Sequence, residues 1–373
     1  MNRFLSRKVT ALSMACALSF GGVWMGASQS RVEAAGLDMS DIGAILQAGI
    51  GYSQAKSQLR KVLDYLDTTP EGQKKMFETV AAASGVDDDP VLMERLVDLI
   101  ANMTVAIGEV DKSIYDLPYI FFVNPDNSFN ASCSMGHVMN VNRGAFALVP
   151  NDDELAVVLG HEMGHGQAHH VAKANLNQFD KAILAQISSG ALGGTALTNA
   201  VAGKLYSSSV IHGSKGQEKE ADELSWEYML HSKYNLGATA AIWQRVIEKG
   251  GNNAQKGIDL WFNPSDHPNH MARRDRYEKK LEEYSGKHVS VKDGEVSVNG
   301  KKFVVPAPAG GMSTNERAYF VEGNLATAYH KGYNKEKAYA NGNTVMLGNQ
   351  AIMTCVNGDE NVQTLVDRLN ECK

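Results

Sequence analysis

The sequence predicts an α+β chain: a mainly helical body holding one small β-sheet, then a C-terminal α/β module rich in strands. Three observations predict it. Apolar residues recur at helical spacing from 38 to 112. Short β-type runs stand just before a long helix-like run that starts near residue 150. After Gly286 the texture changes to short strand candidates joined by Asp-Gly and Asn-Gly pairs.

The first helical stretch places Ile42, Ile45, Leu46, Ile50, Leu59, Val62, Leu63 and Leu66 on a repeating face, and Leu92, Leu96, Ile100 and Val105 follow the same rule. Tyr119 to Val123 is an apolar strand run ending in the Asn124-Pro125-Asp126-Asn127 turn, and His137 to Val141 reads as a second strand. Pro150 to Glu154 opens the next helix, with acidic residues in its first turn to suit the helix dipole. The Gly/Ala/Ser-rich stretch from Ile187 to Ile211 reads as packed helix or a mobile lid, since Asn199 and Lys204 interrupt it.

Beyond Gly286, strands are expected at 288–292, 295–298 and 301–305, turning at Asp293-Gly294 and Asn299-Gly300. Ser313-Thr314-Asn315-Glu316 is a capping box that opens a helix to about His330. Strand candidates at 335–340, 343–347 and 350–356 repeat the pattern around Asn341-Gly342 and Gly348-Asn349. A final helix follows, with Val362, Leu365, Val366 and Leu369 on one face. Three strands and a helix, twice, suggest a loosely duplicated module over 286–373.

At 43% hydrophobic and 21% charged, the chain can bury a proper core. Its net charge of −6 speaks against a nucleic-acid partner. The first 34 residues read as an export signal: basic Arg3, Arg7 and Lys8, an uncharged stretch from Val9 to Ser30, and Val32-Glu33-Ala34 as a small-residue cleavage site. No later segment is long and apolar enough to span a bilayer. The expected location is periplasmic or extracellular, with membrane association left open. Cys16 leaves with the signal. Of Cys133, Cys355 and Cys372, the last two are expected to form one disulfide, because Cys355 ends a strand and Cys372 ends the last helix.

The chemistry gathers at His161-Glu162-Met163-Gly164-His165. Residues four apart share a helix face, about 6 Å apart along the axis, so His161 and His165 can offer imidazole nitrogens to one zinc. Glu162 stands beside them to act as a base on the activated water. A catalytic zinc needs a third protein ligand. Val171 and Ala168 exclude the pattern with a third histidine ten residues on. His169 would lie about 12 Å along the axis from His161, and His170 would face nearly away, so both read as polar helix-end histidines or as supports behind a ligand. Gln217 to Glu223 is the other donor stretch. Glu218 and Asp222 share one face there, so Glu218 can bind the metal while Asp222 accepts the free ring N–H of a zinc histidine. Asp222 and Glu223 stay open as alternative ligands, and Glu220 is expected to take no part.

His161-Glu162-x-x-His165 followed by Glu218-x-Glu220-Ala221-Asp222 resembles the paired motifs of zinc metallopeptidase family 48. The flanks are similar too: Asn130-Ala131, Gly136 to Gly144, Glu154 to Leu159, His170, and His267-Pro268 with Arg273 six residues on. The likeness covers roughly residues 40–285. It is greatest to the exported, soluble branch typified by BepA. HtpX and the CAAX prenyl protease are polytopic, whereas this chain shows no internal spans. The helical repeats that follow in BepA are replaced here by the strand-rich module.

The resemblance implies a zincin fold of gluzincin type over 35–285, one Zn2+ per chain, and a metalloendopeptidase of envelope quality control cleaving unfolded or misassembled proteins. His267 or Arg273 would stabilise the oxyanion, and His267 could instead cap the metal in a latent form. The segment Gly136 to Asn142 could pair with an extended substrate. A chaperone-like assembly factor with a latent protease site is the alternative.

Overall fold

The computed structural model describes residues 52–189, 214–250 and 270–373. The signal segment, Ile42 to Ile50 of the first expected helical stretch, the 190–211 part of the expected packed helix or lid, and His267 lie outside them. Two units divide the chain: Met1–Ala145 with Leu159–Ser225, and Phe146–Val158 with Trp226–Lys373.

The first unit begins with α1 (Tyr52–Thr68), α2 (Pro70–Ser84) and α3 (Pro90–Val110). α2 and α3 each start at a proline preceded by a capping side chain. Thr69 accepts from Gly72 N, and Asp89 accepts from Val91 N and Leu92 N. Leu59, Val62, Leu63 and Leu66 of α1 pack with Met76 and Val80 of α2 in the core cluster. Phe122, Met135, Val138 and Phe179 complete it. From Tyr52 onward these helices agree with the periodicity of the sequence.

The sheet contains β1 (Ile120–Asn124), β2 (Ala131–Ser134) and β3 (Val138–Asn142), in the order β1-β3-β2. β3 pairs parallel with β1 and antiparallel with β2. Two expectations change here. Sequence reading takes Asn130-Ala131-Ser132 beside Cys133 for a loop, because small side chains carry little β preference, whereas Ala131–Ser134 is a strand. Because β3 is central, its backbone is used on both sides and it cannot add a substrate strand. Every residue of β3 is buried. Asn140 and Asn142 therefore need partners, and Asn124 Nδ2 donates to both side-chain oxygens at 2.6 Å.

α4 (Arg143–Leu148), α5 (Asp152–Gln167) and α6 (His170–Ser189) follow, then α7 (Lys215–Leu230). α5 and α7 are divided between the two units. The second unit continues with α8 (Ala238–Gly250) and α9 (His270–Tyr284). Its buried polar centre is Arg245, whose guanidinium meets both carboxylate oxygens of Glu154 at 3.0 and 2.8 Å and Glu316 at 3.3 Å. Glu316 is also the N3 residue of the expected capping box at Ser313, so it serves two partners.

Strands β4 (Val289–Lys292), β5 (Glu295–Val298) and β6 (Lys301–Val304) form one antiparallel sheet, followed by α10 (Thr314–His330). β7 (Tyr339–Asn341), β8 (Thr344–Leu347) and β9 (Gln350–Thr354) form another, followed by α11 (Val362–Cys372). Positive φ at Asp293, Gly294, Asn299 and Gly300 gives the first sheet its two tight turns.

The duplication extends to an irregularity. In the first sheet Val296 pairs with Val304 and Ser297 with Lys302, leaving Phe303 as a bulge. In the second, Val345 pairs with Met353 and Met346 with Ala351, leaving Ile352. Both bulged side chains are fully buried. Each bulged carbonyl accepts from the helix of the other repeat: Phe303 O from Arg368 of α11 at 2.8 Å, and Ile352 O from Asn324 of α10 at 3.0 Å.

The expected disulfide is absent, and Cys133, Cys355 and Cys372 are free thiols. Cys372 Sγ instead faces Lys302 O at 3.8 Å.

Candidate metal centre

Two helices of the first unit build the site. The C-terminal half of α5 carries His161, Glu162 and His165, all with at most slight exposure, and the N-terminal half of α7 carries Glu218 and Asp222, buried to 3% and 1% exposure. Glycine lets these helices approach. A Cβ on Gly164 would stand 3.2 Å from Leu224 Cβ and 3.3 Å from Ala221 O.

The donor atoms of His161, His165 and Glu218 converge, all within 4.8 Å of one another. The separations are 3.2 Å between the two Nε2 atoms, 3.3 Å from His161 Nε2 to Glu218 Oε2, and 3.4 Å from His165 Nε2 to Glu218 Oε1. A tetrahedron with metal–ligand bonds of about 2.0–2.1 Å has edges of about 3.3–3.4 Å. Calcium, at about 2.3–2.6 Å and six or more oxygens, would need a wider and oxygen-only cage. The donor set therefore fits a small nitrogen-seeking cation such as zinc. Among the described residues this is the one cluster of its kind.

The remaining ring nitrogens are engaged from behind. His161 Nδ1 lies 3.1 Å from Asp222 Oδ1, which holds its proton there and leaves Nε2 as a lone pair facing the centre. His165 Nδ1 lies 2.9 Å from His170 Nδ1, and His170 Nε2 lies 3.2 Å from Glu220 Oε2. Here the straight-helix reading of His170 fails. α5 ends at Gln167, and His169 takes φ +53°, so the chain turns before His170 begins α6. His169 Nδ1 meets Asp67 Oδ2 at 2.8 Å, and this contact raises its pKa. Burial, followed by the neighbouring His165, lowers His170 to about 4. Glu220, expected to take no part, is brought to the site's rear.

Other neighbours are set by the sheet. Tyr119 donates to Met163 O at 2.8 Å and stacks on His137, whose burial lowers its pKa. Cys133 of β2 is buried. Desolvation, then the Glu162 and Asp67 carboxylates, push its thiol well up, so it stays protonated. Arg273, in the second unit, is buried with its guanidinium 3.7 Å over the Trp243 ring.

A largely helical body with a small mixed sheet, and an H-E-x-x-H helix met by a glutamate of a second helix, define a metallopeptidase-type centre. The sequence profile of Peptidase family M48 matches residues 94–280, half of the chain, and the chain belongs to that family. A Yersinia pestis protein named beta-barrel assembly-enhancing protease is 26% identical over 171 residues, 43% of this chain and 34% of the relative. A Vibrio cholerae protein provisionally so named is 24% identical over 174 residues, 44% of this chain and 34% of the relative. The Escherichia coli K12 protein of the same name is 25% identical over 142 residues, 35% of this chain and 29% of the relative. The match thus spans about a third of the length of these relatives. No helix among the described residues is long and apolar enough to cross a membrane.

Proposed function

We propose that the chain is an exported zinc metalloendopeptidase cleaving unfolded or misassembled envelope proteins. Its signal would cover 1–34, its peptidase domain 35–285 and its accessory module 286–373. The observation that carries the reading is the convergence of His161, His165 and Glu218 at 3.2–3.4 Å, with His161 Nδ1 held by Asp222. The relatives' name supports an envelope role, and the exported setting rests on the signal-like N-terminus.

Zinc held by these three residues would polarise a scissile carbonyl and bring a water's pKa toward about 7. Glu162, next to His161 on α5, takes the water's proton and returns it to the leaving amine. An extended substrate would add to the outer edge of β2, the strand whose Cys133 senses the Glu162 carboxylate. Backbone pairing of that kind tolerates varied side chains, which suits unfolded substrates. His267 and Arg273 are the proposed donors to the oxyanion, with capping of the metal as the other role of His267.

Cleavage of an unfolded casein with and without chelator tests the proposal. We expect chelator-sensitive cleavage that Glu162→Gln lowers by roughly 100- to 10,000-fold, the usual worth of a positioned base. Cleavage unaffected by both would refute it. Stoichiometric zinc with no cleavage would favour the latent or chaperone-like alternative.

A further inference from the structure

We infer that His170 and Glu220 are positioning residues for the metal ligand His165, forming a proton-ordered chain Glu220–His170–His165 behind the centre. The inference rests on the metal-centre reading above and extends it to residues outside the ligand set.

The two histidine ligands are supported differently. His161 has a carboxylate directly behind it, Asp222 at 3.1 Å. Behind His165 Nδ1 stands another imidazole nitrogen, His170 Nδ1, at 2.9 Å. Two imidazole nitrogens at that distance share one proton. If His165 ligates through Nε2, its own proton sits on Nδ1 and is donated to His170. His170 then accepts at Nδ1 and must carry its proton on Nε2. That nitrogen faces Glu220 Oε2 at 3.2 Å, an acceptor of the right kind. Each member of the chain fixes the tautomer of the next, and the direction of proton donation runs from His165 outward to the carboxylate.

The fold is built to hold this arrangement. His170 is 2% exposed, and Gln217 Nε2 donates to its carbonyl oxygen at 3.1 Å. The left-handed turn at His169 aims it, and Asp67 anchors that turn. Glu220 sits between Glu218 and Asp222 on α7, so one helical turn supplies a ligand and the terminal acceptor for each histidine. A partner behind a ligating histidine fixes ring orientation and raises basicity, and its loss costs about 10- to 100-fold in metal affinity.

The test uses the full chain, with zinc and cobalt as probes in competition with a chromophoric chelator. His170→Phe keeps a ring of similar size and removes the acceptor; it should weaken zinc binding about 10- to 100-fold. His170→Asn places an amide oxygen where Nδ1 stood and should recover most of that loss. Glu220→Gln retains an acceptor and should cost less than His170→Phe. The visible spectrum of the cobalt form should change in His170→Phe and return toward wild type in His170→Asn, while the metal-free proteins melt alike. A purely structural role would not produce the spectral change and its rescue. If wild type binds metal and His170→Phe binds equally with an unchanged cobalt spectrum, the chain is overturned while the metal centre stands. If Asn fails to rescue, the hydrogen-bond account is overturned. If wild type takes up neither metal at these residues, both readings fall.

Discussion

Glu322 of α10 is fully buried and neither carboxylate oxygen has a hydrogen-bond partner. Its charged neighbours are Glu278 and Glu282 of α9, which add like charge to the desolvation that already holds its pKa well above 4.5. The folded chain therefore keeps a proton on Glu322 that the unfolded chain releases above about pH 4.5. A raised folded pKa means that stability is greatest below the unfolded pKa and falls as pH rises toward the folded one. As long as the folded carboxyl stays protonated, each pH unit in that window removes about 1.4 kcal/mol. Over two pH units of that window the loss from this one group is about 3 kcal/mol. Glu322→Gln keeps the shape and removes the titration. Urea unfolding in the presence of chelator, followed by the fluorescence of Trp226 and Trp243 in the same unit, should show the variant gaining on wild type by about 1.4 kcal/mol per pH unit. The fixed cost of burying an amide shifts both ends equally, so the slope is the diagnostic. A stability difference flat in pH from 5.5 to 7.5 would refute the reasoning.

Glu218→Ala should bind zinc far more weakly than wild type while keeping the fold, since the two histidines alone leave the donor set incomplete; elemental analysis after desalting checks it, and stoichiometric zinc would move the third ligand elsewhere. Arg273→Ala should lower stability by about 2 kcal/mol or more, because it removes a desolvated cation stacked 3.7 Å over Trp243. Arg273→Lys should recover only part, having no planar face, and a thermal melt that does not move would separate Arg273 from the core of its unit. Alkylation of denatured, unreduced protein should label Cys133, Cys355 and Cys372; a mass consistent with a Cys355–Cys372 bridge would contradict their free state.

The cluster of His161, His165 and Glu218 was legible because the proposed chemistry leaves a spacing in the chain. His161 and His165 are fixed by one helical turn, and Glu218 with Asp222 by another. The direction of His170 was misread, though not its place as a helix-end or supporting histidine, because its aim depends on a break in the helix at His169, a non-glycine residue in a left-handed conformation. Glu220 was missed for the same reason, since its partner was misplaced. β2 carries only a short alternation of small residues, and Ala-Ser-Cys-Ser becomes a strand through its register with β3. The C-terminal turns were readable because Asp-Gly and Asn-Gly pairs carry their backbone preference locally. The disulfide could not be judged from element ends, because bridging depends on the direction of each Cβ and not on which elements the residues close.

The exchanged capping of the two bulges has a consequence for biogenesis. Phe303 O in the first repeat waits for Arg368, which is synthesised long after β6, and the second repeat in turn leans on Asn324 of the first. Neither half supplies the side-chain partner of its own bulged carbonyl, so each repeat completes the other. A chain cut short within the second repeat would leave the Phe303 carbonyl in need of another partner and α10 packed on the first sheet alone.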